Sequence, residues 1–594
     1  MRYKKPVKII LIVIISLLLL VCVVNLTIDP FGVFGDRIFN RYDYNIAANP
    51  LAAKDTYIKR HRDEFDSFII GGAAAAAFSP EQLGGYTGGK YYNMYYDGAS
   101  MEELSLLTRY LLENYKVKNL VLPLGLSDLA YAKKLPQPLP PAVGGNAFAF
   151  YARQLFRNPR HSLTKLQSLN ENGYLSESHG KIVAETGVYD NTFRDVAYIG
   201  STTEYLAANP IFNEPVYHRE LDTAAVAENL ALLRDLCAET GVSLTVIFTP
   251  QYSAWLEAYK GRDIDAFRET LAGTVDLWDF SDTPVSRDAR YFYDTDSMRT
   301  ALGNMVLARI YGDAQVWYPP EFGAYVKQGE AAPAAVDENG AYTTDIPVLL
   351  FHHFAPEGDR STVVSAEQFD ENMAALCDAG YTAVTPEQLV AYVEKGVSLP
   401  VKPMLITIDD GYESNYEVAY PILKKYGMKA TIFVIGVSNG RDTYKDTGIP
   451  ITPHFGDAEM REMAQSGVIS IQSHTYDMHR SETLDDPWRN GVLRMESEDE
   501  TVYIEHFRED IARSKLGIEG VTGEKVIALA FPGGQRDILS DMLLYEAGIK
   551  LTFTTQHGVS TIVKGLPQSL FRMKRINVEG GVTGAEIIGI IEKE

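Results

Sequence analysis

The stretch Met404-Leu405-Ile406-Thr407-Ile408-Asp409-Asp410-Gly411 decides how this 594-residue chain is read. A short apolar, β-branched run that stops abruptly at paired carboxylates is the pattern of a buried strand delivering acidic groups at its C-terminal end. Outward from it, Asn415 to Tyr426 reads as a helix and Ala430 to Ile435 as the next strand. Val468 to Gln472 is a third strand that ends at His474, and Val526 to Phe531 is a fourth that breaks at Pro532-Gly533-Gly534. Strands alternating with helices, with polar residues at the strand ends, predict parallel βα units and an α/β fold rather than an antiparallel sandwich.

The second informative stretch is Ser473-His474-Thr475-Tyr476-Asp477-Met478-His479. One carboxylate and two imidazoles close a three-ligand face on a divalent metal and leave positions open for water and substrate. A neighbouring carboxylate then accepts a proton from that water. Taken singly, Asp-Asp-Gly after a strand is usually a turn, and two nearby histidines are usually solvated or core groups. In a chain with 11 His, both motifs in order and each at the end of a predicted strand point to a metal-assisted hydrolase.

These residues carry a family resemblance. Thr407-Ile408-Asp409-Asp410-Gly411 resembles the T-F-D-D-G motif of polysaccharide deacetylases (the NodB-homology domain), and the stretch from Ser473 to His479 resembles their metal-binding histidine motif. Pro347 to His353 is similar to the first strand of that domain. Ala430 to Val434, Ala530 to Gly534 and Arg575 to Val578 fall where its later motifs lie. The resemblance covers residues 346–594 and implies an incomplete, distorted (β/α) barrel that removes acetyl groups from N-acetylhexosamine units. Carried over by position, it implies Asp409 as general base and Asp410, His474 and His479 as metal ligands. Gly411, Tyr412, Pro532, Gly533 and Arg575 are the candidates for contacts to substrate or oxyanion. The mixed N/O ligand set without thiolate suits zinc first, with cobalt, nickel or manganese as substitutes. The histidines are spaced more widely than in the common motif, and His454-Phe455 precedes the Ser466-Gly467 turn. Both features are similar to the branch acting on poly-β-1,6-N-acetylglucosamine in biofilms. The family's late general-acid histidine has no clear match near Phe571 to Arg575, and His557 is a poor substitute, so leaving-group protonation stays unassigned.

Arg2, Lys4, Lys5 and Lys8 precede an uncharged apolar run from Ile9 to Leu26, long enough to span a bilayer. The basic flank predicts a cytoplasmic tail at 1–8, an anchor at 9–26 and everything beyond it outside the cell membrane. A cleaved signal peptide is the alternative, but no small-x-small site precedes Asp29-Pro30-Phe31-Gly32. Only three Cys occur, and Cys22, Cys237 and Cys377 fall in different predicted segments, so no disulfide framework is indicated. The net charge of −23 argues against a nucleic-acid partner.

Residues 321–345, which include Glu330-Ala331-Ala332-Pro333-Ala334-Ala335, show no hydrophobic period and are expected to be a linker. Between anchor and linker, residues 28–320 predict a second, doubly wound α/β domain with strands at Ser67 to Ile70, Asn119 to Leu122 and Leu244 to Phe248. Helical stretches such as Thr223 to Glu239 separate them. The domain resembles the SGNH/GDSL-type hydrolases: its first strand runs into Gly71-Gly72-Ala73 where that family has Gly-x-Ser. Tyr92-Asn93-Met94 with Gly98-Ala99-Ser100 is similar to its second block, and Asp294-Thr295-Asp296-Ser297 stands where Asp-x-x-His supplies the base. With Ala73 and Ser297 at the nucleophile and base positions, the resemblance implies a non-catalytic relative. An ordinary α/β domain without that ancestry is the alternative.

The combined expectation is a membrane-anchored, extracellular N-deacetylase of an N-acetylated polysaccharide, poly-β-1,6-N-acetylglucosamine being first choice, with exopolysaccharide synthesis or export machinery as a partner. A peptidoglycan N-acetylglucosamine deacetylase is the runner-up. A non-catalytic glycan-binding or export factor is the reading from another class.

Overall fold

The computed structural model describes residues 4–38, 50–131, 135, 137–168, 181–259, 264–331, 342–356 and 362–593. Helix α1 (Lys4–Ile28) is apolar around its circumference, and Val7–Ile28 is long and apolar enough to cross a membrane. Its end is tied to the body of the protein. Asn25, fully buried, donates to the carbonyls of Leu155 (2.9 Å) and Arg157 (2.8 Å), while Lys165 Nζ donates to the Ile28 and Asp29 carbonyls and pairs with Asp36.

The N-terminal unit is built on a six-stranded sheet. Its strands are β1 (Ser67–Ile69), β2 (Tyr91–Asn93), β3 (Asn119–Leu124), β4 (Ser243–Phe248), β5 (Leu277–Asp279) and β6 (Ala324–Val326), in spatial order β2-β1-β3-β4-β5-β6. Only β6 runs antiparallel. The order 2-1-3-4-5 is one of the two common doubly wound arrangements, and it leaves a crevice outside the carboxyl ends of β1 and β3, where the strand order reverses. Two helices illustrate the sequence logic: α2 (Met101–Asn114) starts at a Ser100–Glu103 capping box, and α3 (Thr223–Thr240) ends at Gly241 with φ +72°.

The C-terminal unit is a curled parallel half-barrel. Strand β7 (Thr343–Ile346) leads into β8 (Val348–Phe351), β9 (Pro403–Asp410), β10 (Ala430–Val434), β11 (Ile469–Ser473), β12 (Ala528–Ala530), β13 (Leu551–Phe553), β14 (Ser560–Val563) and β15 (Ile576–Asn577). The main sheet runs β13-β12-β11-β10-β9-β8-β15, with a short strand at Thr382–Ala383 also pairing β9. These strands are apolar on both faces because both are buried. Ile406, Ile408, Ile432 and Ile471 pack in one cluster with Phe369, Met463 and Phe507 on flanking helices, while Leu405, Phe433, Leu551 and Phe553 fill another.

Strand residues lie within the stretch expected as a linker. Ala324–Val326 completes the N-terminal sheet and Thr343–Ile346 pairs antiparallel with β14, because each presents backbone donors to an open strand edge; residues 332–341 lie outside the described set. The expected helix from Asn415 to Tyr426 is also divided. A π turn at Asn415–Ala419 precedes the α-helix Tyr420–Tyr426, and the buried Asn415 amide donates to the His352 carbonyl at 2.7 Å. The two units share contacts: Tyr291 donates to the Lys564 carbonyl (2.6 Å), Lys574 pairs with Glu204 (2.5 Å), and Val563 and Leu566 join the N-terminal core around Met305.

Candidate metal centre and active site

Strand register assembles the site. The parallel pairing sets Asp410 level with Val434, and Val434 level with Ser473, so His474 follows one residue beyond the same edge. The His474 N–H donates to the Val434 carbonyl at 2.9 Å. Two non-glycine residues here have positive φ: Asp410 at 76° and Thr475 at 69°. This is sterically costly backbone of the kind that clusters at functional sites. At Asp410 the turn continues through Gly411 (φ 83°), where a Cβ would stand 3.0 Å from Val434. At Thr475 the chain reverses so that the Tyr476 and Asp477 N–H groups donate to the Asp510 carboxylate (2.8 and 2.6 Å). Burial holds that carboxyl up at about 6. Asp510 belongs to the long helix Glu500–Thr522, which thereby fixes the loop carrying His479.

Asp410, His474 and His479 offer ligand atoms within 4.8 Å of one another. The His474 and His479 Nε2 atoms lie 3.5 and 3.7 Å from Asp410 Oδ1, the longer beyond hydrogen-bond reach. Asp410 Oδ1 is buried and has no hydrogen-bond partner among the described residues. Three donors around a common point, one of them an orphaned carboxylate oxygen, fit a divalent cation held at about 2 Å from each. The His474 Nδ1 contacts the Ala530 carbonyl at 2.8 Å, an acceptor that puts the proton on Nδ1 and leaves Nε2 as a lone pair toward the site. Burial drops this ring to about 4, so it stays neutral at physiological pH.

Asp409 faces a different partner. Arg575 Nη1 and Nη2 donate to its two oxygens at 2.8 and 2.9 Å, and Arg575 Nε donates to the Thr554 carbonyl at 2.8 Å. Burial alone would raise the Asp409 carboxyl, but the guanidinium and then His474 override it and hold it at about 2. Asp409 is thus ionised and oriented, as a proton acceptor must be. Arg575, expected among the groups meeting substrate, is instead fully buried behind Asp409, where the bidentate pair and the Thr554 carbonyl take up its donors. Pro532 and Gly533 sit in the tight turn after β12. Pro532 has no N–H, and the Gly534 and Gln535 N–H groups are used within the turn, on the Phe531 and Pro532 carbonyls. Tyr412 lies beside Asp410, its phenol raised by burial and then by that carboxylate, and its ring is 4.9 Å from that of His454.

His352 follows β8 directly, inside the stretch from Pro347 to His353, and has no role in the sequence reading. Its Nδ1 is buried without a partner among the described residues, and its ring is near enough to help lower both Asp409 and Asp410. The doublet His352-His353 at a strand end was the signal. Its neighbour His353 is occupied by Ser414, at 2.9 Å from Nδ1.

In the N-terminal unit, Ala73, Asp294 and Ser297 come together on one cavity of about 450 Å³. The Ala73 and Ala74 N–H groups donate to the Asp128 carboxylate (2.6 and 3.1 Å), and among the described residues no histidine lines the cavity. Asn93 is fully buried and spends its amide on the Ala75 and Phe78 carbonyls (2.8 and 3.3 Å).

Residues 396–552 match the family described as polysaccharide deacetylase. YxkH of Bacillus subtilis (strain 168), assigned by name to the polysaccharide deacetylases, is 30% identical over 247 residues, covering 42% of this chain and 76% of that one. The poly-β-1,6-N-acetyl-D-glucosamine N-deacetylase of Staphylococcus aureus (strain MRSA252) is 26% identical over 198 residues; the match spans 33% of this chain and 63%, under two thirds, of that protein. Among solved structures, IcaB from Ammonifex degensii superposes with a TM-score of 0.35 at 25% identity, over 42% of this chain and 97% of that one. The polysaccharide deacetylases are amide-hydrolysing enzymes that use a divalent metal. The chain belongs to the polysaccharide deacetylase family.

Proposed function

We propose that this chain is a membrane-anchored, extracytoplasmic N-deacetylase of a secreted poly-N-acetylhexosamine, with poly-β-1,6-N-acetylglucosamine the first choice of substrate. The observation that carries the reading is the pairing of an ionised, Arg575-held Asp409 with the adjacent Asp410–His474–His479 donor set. Those three residues would hold a divalent cation, zinc in preference. Such a cation supplies polarisation of the acetyl carbonyl and acidification of water at the site.

The rest is the work of side chains. Asp409 takes a proton as water oxygen adds to the carbonyl carbon; the C–N bond then breaks, releasing acetate and leaving the sugar nitrogen to be protonated. His352, with its unpartnered buried Nδ1, is the imidazole we assign to that second proton transfer. The widely spaced histidines and the Staphylococcus relative support the β-1,6-linked substrate.

The anchor reading is supported by Lys5 and Lys8 flanking the apolar run and by the buried Asn25 and Lys165 hydrogen bonds that join the end of α1 to the folded body. We further propose that the N-terminal unit is a non-catalytic relative of the SGNH hydrolases, supported by Ala73 following β1 and by the cavity it shares with Asp294 and Ser297.

The test is metal analysis with acetate release from β-1,6-linked N-acetylglucosamine oligomers against peptidoglycan fragments. Release from the oligomers at stoichiometric metal is expected. Release from peptidoglycan alone selects the cell-wall substrate, and no release from either selects a glycan-binding factor. Protease added to intact spheroplasts should digest the region beyond residue 30; full protection would put both units in the cytoplasm.

A further inference from the structure

A sizeable cavity belongs to the N-terminal unit, which the deacetylase chemistry does not use. It opens at the carboxyl ends of β1, β2 and β3. Ala73 follows the first, Tyr95 and Asp97 the second, and Asp128 the third. That is the switch point of the 2-1-3-4-5 sheet, where open α/β sheets bind ligands. Its volume of about 450 Å³ falls within the range of small-molecule sites.

The wall is acidic. Asp97, Asp128, Asp294 and Asp296 all line it, and the one basic lining residue, Arg194, is engaged: it pairs with Asp294 at 3.0 Å and stacks over the Tyr293 ring at 4.2 Å. Asp128 also covers the backbone donors of the turn after β1, which an anion would otherwise meet. A second observation is independent of these charges. Tyr95 lines the cavity at 4% exposure, and its hydroxyl has no hydrogen-bond partner among the described residues. A buried phenol left unsatisfied is costly, and a ligand hydroxyl or amine would satisfy it. The rings of Tyr95 and Tyr189, centroids 5.9 Å apart, add apolar faces of the kind that pack on sugar rings. The carboxylates are spread over the wall rather than converging. Among the described residues only Asp410, His474 and His479 bring ligand atoms within one ion's reach.

We propose that this cavity binds a protonated amino sugar, a glucosaminyl residue of the deacetylated chain. The proposal rests on the deacetylase reading for the source of the amine, since each acetyl removed leaves one ammonium on the polymer. The carboxylates meet the ammonium, Tyr95 meets a ring hydroxyl, and the absence of a nucleophile at Ala73 leaves the bound sugar unchanged.

The test is isothermal titration of the full chain in detergent micelles, carrying His474→Ala so that nothing is turned over. The probes are a β-1,6-linked glucosamine oligomer and its fully N-acetylated counterpart. Asp97→Asn with Asp296→Asn should weaken the glucosamine oligomer by about tenfold or more and leave the N-acetylated oligomer unaffected. Tyr95→Phe should weaken the same probe without lowering the melting temperature, because the hydroxyl it removes bonds to nothing in the free protein. No binding of the glucosamine oligomer, or binding that all three substitutions leave unchanged, overturns the proposal. Acetate release by the unmodified chain is measured separately, so failure of the deacetylase reading is seen independently of this result.

Discussion

Arg575 grips Asp409 through two hydrogen bonds, 2.8 and 2.9 Å long, across 166 residues of sequence, and both side chains are buried. The pair does two jobs at once. It keeps the carboxylate ionised against its burial, and it fixes the carboxylate's orientation beside Asp410. Breaking such a pair by removing one partner leaves an uncompensated buried charge, which is far more destabilising than the pair is stabilising.

Replacing the guanidinium is therefore expected to be severe. Arg575→Met should cost about 3–5 kcal/mol of stability, read as a lower urea midpoint. It should also move the acid limb of the pH–rate profile upward, because Asp409 then feels its burial without the opposing charge. Arg575→Lys should fall between, since an ammonium keeps the charge and loses the fork. A pH–rate profile that does not move in either variant would refute the orienting role of Arg575.

Asp409→Asn removes the proton acceptor and leaves Asp410, His474 and His479 in place. Acetate release should drop by about 10²-fold or more while bound metal stays near the wild-type level. If instead Asp409→Asn empties the site and Asp410→Asn does not, the roles of the two aspartates are exchanged.

Each histidine of the donor set is expected to be needed for the cation. His474→Ala or His479→Ala should yield protein with little bound zinc and no acetate release, as metal affinity depends on a complete set of deprotonated ligands. Stoichiometric zinc in both variants, by atomic emission, would remove them from the ligand set.

The neutral His474 ring gives a pH dependence with a definite sign. Its pKa is lowered from 6.5 to about 4 by burial. The unfolded chain takes up this proton below about pH 6.5, while the folded chain resists until about pH 4. The stability contributed by the neutral ring is thus complete above about pH 6.5 and is lost as the pH falls toward 4. Chelator-treated wild type should lose more of its urea midpoint between pH 7 and pH 4.5 than His474→Gln does. Equal losses would show that the ring is protonated in the folded state.

The N-terminal unit should not hydrolyse small acetyl esters. Ala73→Ser alone should stay inert, because a serine hydroxyl without a neighbouring imidazole remains protonated and the Ala73 N–H is already held by Asp128. Ester turnover in the unmodified chain that survives loss of the metal ligands would show a working site elsewhere in this unit.

Much of the deacetylase unit is legible in local sequence. The run from Met404 to Asp410 is a strand because its β-branched apolar residues are buried on both faces, and its paired carboxylates mark the strand's C-terminal end. The positions of Asp410 and His474 follow from strand ends that parallel register then brings level. What only tertiary structure decided are the relationships with no local period. The partner of Asp409 comes from the far end of the chain, the unpartnered Nδ1 of His352 is visible only once its surroundings are packed, and the left-handed Thr475 that spaces the two histidines is held by Asp510 on a separate helix. In the N-terminal unit the sequence located Ala73, Asp294 and Ser297 one by one. The acidic cavity they share with Asp97 and Asp128 exists because the strand order reverses between β1 and β3, and that reversal is a property of the sheet rather than of any segment in it.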